Sequence, residues 1–129
     1  MLELALRNDL GQPVQVRRIA EAHGIPPRFL VQILLQLKGA GFVSSTRGVA
    51  GGYRLAKEPQ EITLGEVMRV IDGEPDQRAS NAGIVTPVSR ALTDTWQEAA
   101  TGLRRLLDSV TLAHLAEKAR VPSENMYYI

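Results

Sequence analysis

The chain has 129 residues, 44% of them hydrophobic, enough for one compact domain plus an appended helix or two. No run approaches the roughly 18 apolar residues of a membrane span, MLELALRND lacks the basic-then-apolar order of a secretory signal, and zero cysteines exclude disulfides, thiolate-bound metal and cysteine nucleophiles together, so a cytoplasmic protein is expected. The net charge of +1 conceals a split: residues 1–57 carry eight basic and three acidic side chains, residues 58–129 seven basic and eleven acidic, as in a polyanion-facing module joined to one that faces elsewhere.

In chain order, the first element is a short helix from Met1 to about Asn8, ended by Gly11-Gln12-Pro13. Val16, Ile19, Ala20 and His23 fall at helical spacing and predict a helix over about 16–23, closed by Gly24 in the left-handed conformation. Pro26 and Pro27 stand at the start of a third helix, where a missing N–H costs nothing. Its expected buried stripe is Phe29, Leu30, Ile33, Leu34 and Leu37, and it stops near Gly41. From Val43 to Lys57 the period changes to two around Gly48, Gly51 and Gly52, which predicts a β-hairpin.

Thr63-Leu64-Gly65-Glu66 is a capping box, opening a helix with an apolar face of Leu64, Val67, Met68 and Ile71 that Gly73 and Pro75 end. Residues 74–86 have no period, and a loop of that length in a small domain is functional or disordered. The longest helix, about Val88 to Ser109, carries Val88, Leu92, Trp96, Ala99, Leu103, Leu106 and Val110 at alternating four- and three-residue steps, a near-heptad seam. Thr111 is placed to cap a last short helix reaching about Ala119.

Helices 16–23 and 27–41 have the spacing of a helix-turn-helix. Ala20 supplies the small residue at the crossing, Gly24 the turn and Leu30 the apolar anchor. Arg28, Val31 and Gln32 are left on the outward face, with chemistries suited to guanine, a thymine methyl and adenine. The competing reading is an αα-hairpin that binds nothing. SSTRGVAGGYRL lacks the ending of a phosphate-binding P-loop but suits a wing: Arg47 at its tip for a narrow minor groove, with Ser44, Ser45 and Arg54 as phosphate-positioning groups.

The long seam either packs on its own domain or pairs with a second copy. Pairing is favoured, because one winged helix touches too little DNA for useful specificity. His23 and His114 lie on or beside apolar helical faces and read as packing or surface residues, not metal ligands. Asp72, Glu74 and Asp76 read as solvated charges. With no catalytic constellation, no enzyme is expected.

The segments IAEAHGIPPRFLVQILLQLKGAGFVSSTRGVAGGYRLAK, EITLGEVMRVIDG and LLDSVTLAHLA resemble the Rrf2 family of bacterial winged-helix regulators, the IscR-, NsrR- and CymR-like proteins. The most specific stretches are RGxxGGYxLA, at Arg47 to Ala56, and ITLGEV, at Ile62 to Val67. The resemblance implies a homodimer on a pseudo-palindromic double-stranded operator, usually as a repressor. It also implies that Pro26, Arg28 and Gln32 occupy base- or backbone-contacting positions, with Arg47 and Val49 in the wing. Many members hold an iron–sulfur cluster through three cysteines in the loop before the dimer helix. The corresponding loop here, 74–86, has none, so no such cofactor is expected. The first helix begins about three turns later than is usual in the family.

The expected fold is mainly α with a small β-hairpin: a winged helix-turn-helix over 1–73, a loop over 74–86, and a dimerisation helix with a short C-terminal helix over 87–129. The expected function is sequence-specific DNA binding in transcriptional regulation, without membrane association. The alternative is a protein-interaction module that has lost DNA binding.

Overall fold

The computed structural model describes residues 1–73 and 84–120. Its helices are α1 (Leu2–Leu6), α2 (Val16–His23), α3 (Pro27–Gly39), α4 (Leu64–Asp72), α5 (Pro87–Ser109) and α6 (Leu112–Arg120). Strands β1 (Val43–Thr46) and β2 (Gly52–Leu55) form one antiparallel hairpin in which Val43 pairs with Leu55 and Thr46 with Gly52. This is a winged helix-turn-helix with a long appended helix, the mainly α architecture the periodicities predict. None of these helices is long and apolar enough to cross a membrane.

The core is built from one face of each short element. Ile19 and Ala20 of α2, Leu30, Leu34 and Leu37 of α3, and Val43 and Leu55 at the hairpin base are buried together. Phe29 departs from expectation, being 57% exposed. The buried line of α3 runs Leu30–Leu34–Leu37 at i, i+4, i+7, and Phe29 sits about 100° off it, on the flank of the helix. Ile33 is half-buried for the same reason. In α4, Val67 is buried, but Met68 and Ile71 are exposed. The capping box is present, with the Thr63 hydroxyl accepting from the Glu66 N–H at 3.2 Å.

The chain returns to this core at its far end. Leu112 and Ala116 of α6 are buried and pack against α1 with Leu4 and Ala5. The division of the sequence at 87 grouped α6 with the long helix, whereas its packing is with the first. The hinge is a short antiparallel exchange beside Ile62, which is completely buried. The Leu64 N–H donates to the Val110 carbonyl (2.8 Å) and the Leu112 N–H to the Ile62 carbonyl (2.9 Å), bridging Thr63 and Thr111.

Helix α5 contributes no buried residue and touches its own domain near its C-terminus. There the Arg69 guanidinium donates to Asp108 Oδ1 at 2.8 Å, and Gly65 leaves the room that the Asp108 carboxylate fills. Thr86 and Ser89 cap the other end reciprocally. Of the 74–86 loop, 74–83 lies outside the described residues; Ile84 and Val85 are exposed.

The hairpin is joined to the segment before α2. Val14 and Tyr53 exchange N–H and carbonyl at 2.8 Å in both directions, and Gly52, at φ +151°, lies flat against the Val14 carbonyl. A Cβ at position 52 collides with backbone that cannot swing away. Gly52→Ala should therefore destabilise the protein by roughly 1–3 kcal/mol in urea unfolding, and a wild-type midpoint would show that the close approach is dispensable.

Glu3 ties α1 to α2, accepting from Arg7 Nε at 2.8 Å and lying 3.2 Å from His23 Nε2. The Arg7 guanidinium foremost, then His23, holds the carboxyl below its ordinary value against the opposing pull of burial. A carboxylate depressed in the folded state adds stability above its unfolded pKa and loses it as pH falls through the folded one. Glu3→Gln should lower neutral-pH stability by about 1 kcal/mol and flatten its decline on acidification. An unchanged acid limb in a pH series of urea melts would count against this.

Candidate nucleic-acid interface

Helices α2 and α3 meet as the Ala20–Gly24–Leu30 spacing requires. Ala20 is buried at the crossing. Gly24 takes the left-handed conformation (φ 63°, ψ 32°), with its N–H returned to the Ala20 carbonyl, and Leu30 is buried on the far side. Pro26 occupies the N-cap of α3 with Pro27 at its first turn, so the start of that helix is stiff and lacks the N–H groups proline cannot supply. Arg28, Val31 and Gln32 are exposed on the opposite face from the buried line. Leu35, one turn further on the same face, is exposed too. Its place about 100° from Leu34 around the helix is the signal in the sequence that sets it outside the buried line.

The wing places the remaining candidates on different sides. Val49 is at the tip and almost entirely exposed, beside an exposed Arg47. Ser44 pairs with Arg54 across the hairpin, and both line a cavity of about 360 Å³ against α1, together with Arg7 and Gln12. Ser45 faces α3 instead, where its hydroxyl accepts from Lys38 Nζ at 2.7 Å. Ser44 and Ser45, expected to act together, are thus separated by the alternation of the strand.

Pairing divides the cations of this half. Arg7 and Arg17 each face a carboxylate, Glu3 and Glu21. Among the described residues, Arg18, Arg28, Arg47 and Arg54 enter no ion pair or side-chain hydrogen bond. The tie that the sequence hid is Gln15, whose Nε2 donates to the Val49 carbonyl at 2.9 Å. The signal for it was a glutamine at a helix N-cap, where Ser, Thr, Asp or Asn is the usual choice.

The seam predicted for pairing is bare in the single chain: Val88, Leu92, Trp96, Leu103 and Leu106 are all more than half exposed, Ala99 is exposed and Val110 half-buried. Asp108, which holds α5 to α4, lies nine residues beyond Ala99, two and a half turns and so on the opposite side of the helix. The seam therefore faces away from the winged domain. The donor set does not fit a thiolate-ligated cluster, since the chain has no cysteine. Among the described residues no three His, Asp or Glu side chains gather as metal ligands either.

A family model for Rrf2, described as an iron-dependent transcriptional regulator, matches residues 1–118. A helix-turn-helix type transcriptional regulator of Mycobacterium tuberculosis is 39% identical over 110 residues, covering 82% of this chain and 68% of that protein. The transcriptional regulator CymR of Bacillus subtilis is 33% identical over 130 residues, covering all of this chain and 91% of CymR. The structure of CymR, described as the global cysteine regulator of that organism, superposes with a TM-score of 0.76 at 31% identity, covering 91% of this chain and 87% of the other. IscR of T. potens superposes with a TM-score of 0.74 at 33% identity over 98% of this chain and 87% of its own.

Proposed function

The chain belongs to the Rrf2 family of DNA-binding transcriptional regulators, and from that premise we propose that it is a homodimeric repressor of the cytoplasm that reads a pseudo-palindromic operator. Residues 1–73 form the DNA-reading unit, 74–86 the connection, and 87–129 carry the pairing helix, with α6 returned to α1. Arg28, Val31 and Gln32 face base edges in the major groove, Pro26 fixes where that helix begins, and Arg47 with Val49 enters the flanking minor groove. Ser44, Ser45 and Arg54 position phosphates.

The observation that carries this reading is the pairing state of the arginines. Arg7 and Arg17 meet carboxylates, while Arg18, Arg28, Arg47 and Arg54 are left uncompensated along α2, the recognition helix and the wing. Unpaired guanidiniums cost nothing in water and gain most where phosphate replaces it.

A second copy is the partner that fits the bare seam. The seam reads nearly alike in both directions about Ala99, with Leu92 and Leu106 seven residues to either side and Val88 and Val110 eleven. In an antiparallel copy centred on Ala99, Leu92 meets the partner's Leu106 and Leu106 the partner's Leu92, so apolar residues face apolar residues along a two-fold contact. Residues 1–129 supply no thiolate to hold an iron–sulfur cluster.

Two measurements test this. On an operator selected from a random duplex library, Arg47→Ala should weaken binding by about 1–3 kcal/mol and reduce the salt slope by about one. Salt-independent or absent binding by wild-type dimer would sink the reading and favour a protein-interaction module. Leu103→Asp should leave the winged domain folded, since Leu103 is outside the core. It should yield monomers in sedimentation velocity and cost roughly tenfold or more in operator affinity; a stable dimer would refute the seam.

A further inference from the structure

Gln15 stands at the N-cap of α2, in the extended conformation (φ −68°, ψ 139°) from which a short polar side chain caps its own helix, yet it makes no side-chain cap hydrogen bond. Its carbonyl already accepts from the Arg18 and Ile19 N–H groups. Its amide instead crosses 34 residues of sequence to donate to the carbonyl of Val49, at the wing tip, at 2.9 Å. The helix thereby forgoes a cap that a serine would supply, for a contact that does nothing for the helix itself.

The contact lies where the wing is least held. Its base is fixed by the two-way Val14–Tyr53 exchange and by Lys38 on Ser45. Beyond Thr46 the strands no longer pair, and a single turn bond, Gly51 N–H to the Gly48 carbonyl at 3.0 Å, spans the tip. Val49 is 97% exposed, so its own side chain does not orient the turn that carries Arg47. The Gln15 amide is the one side-chain bond to that turn from the helix-turn-helix among the described residues.

We propose that Gln15 is a positioning residue: its amide fixes the height and tilt of the wing tip relative to α3, and so sets which base pairs Arg47 reaches while Arg28 and Gln32 occupy the major groove. This rests on the DNA-reading function proposed above. The tie converts two flexible contacts into one rigid reader, because a tip free to pivot loses orientation on binding and accepts more than one groove width.

Capping and tying make opposite demands on position 15, which gives the test its discrimination. Gln15→Ser in the full chain should raise Tm by several degrees through restored capping, yet weaken binding to the selected operator about threefold to tenfold. Gln15→Glu, nearly isosteric but without the donor, should show the same loss of binding. Selection from a random duplex library should show the bases flanking each half-site losing information while the central major-groove bases keep theirs. The cost of Arg47→Ala should shrink in the Gln15→Ser background, since both act through the tip.

A Gln15→Ser protein with wild-type affinity, unchanged flanking preference and an undiminished Arg47→Ala cost would overturn the proposal. A loss spread evenly over central and flanking positions would overturn it too. If wild-type protein enriches no duplex at all, the DNA reading itself falls, a result distinct from a wild type that binds and a variant that binds equally well.

Discussion

The backbone exchange between Ile62–Leu64 and Val110–Leu112 decides the shape of everything else. Two amide–carbonyl bonds over a completely buried isoleucine fasten the segment before α4 to the segment between α5 and α6. The bond between the buried residues Leu112 and Ile62 is costly to leave unmade, because an unpaired buried peptide group loses its water without replacement. It forces α6 back onto α1 and closes the core with Leu112 and Ala116. It also fixes the end from which α5 departs. With Arg69 and Gly65 holding Asp108 on one side of the helix, the opposite side is committed to solvent or to a partner.

That arrangement gives a 23-residue helix, about 35 Å long, held at its C-terminal end. Helices in water draw most of their stability from packing. The reciprocal Thr86–Ser89 cap and Pro87 define where the helix begins but bury nothing. The proposed second copy supplies the missing contact without changing the winged domain, because no seam residue except Val110 lies near that domain's core.

Local chemistry made most of the elements legible in the sequence. The α2 limits, the Gly24 turn, the Thr63–Glu66 capping box and the extent of α5 follow from spacing and caps, and each stands where the sequence places it. Phe29 was misjudged because a helix buries a stripe whose centre is set by its neighbours, and hydrophobicity alone does not reveal that centre. The wing's internal division, Ser44 toward α1 and Ser45 toward α3, depends on which strand face meets which helix. Long-range contacts such as Ile62 with Leu112, or Gln15 with Val49, leave no periodic trace. Only a residue that is locally out of place, as glutamine is at an N-cap, hints at them.

The same distinction separates affinity from selectivity in the proposed complex. Phosphate contacts from unpaired arginines are strong, additive and indifferent to sequence. Selectivity requires that the recognition helix and the wing be held at one mutual angle, and that angle rests in large part on three neutral hydrogen bonds: two between Val14 and Tyr53 and one from Gln15 to Val49. Each is worth only about 0.5–1.5 kcal/mol. A symmetric pair of subunits presents every one of them twice on a single operator, so a defect in one tie enters the binding free energy doubled. Small neutral bonds are therefore enough to govern which sequence is read, while the charges govern how tightly any sequence is held.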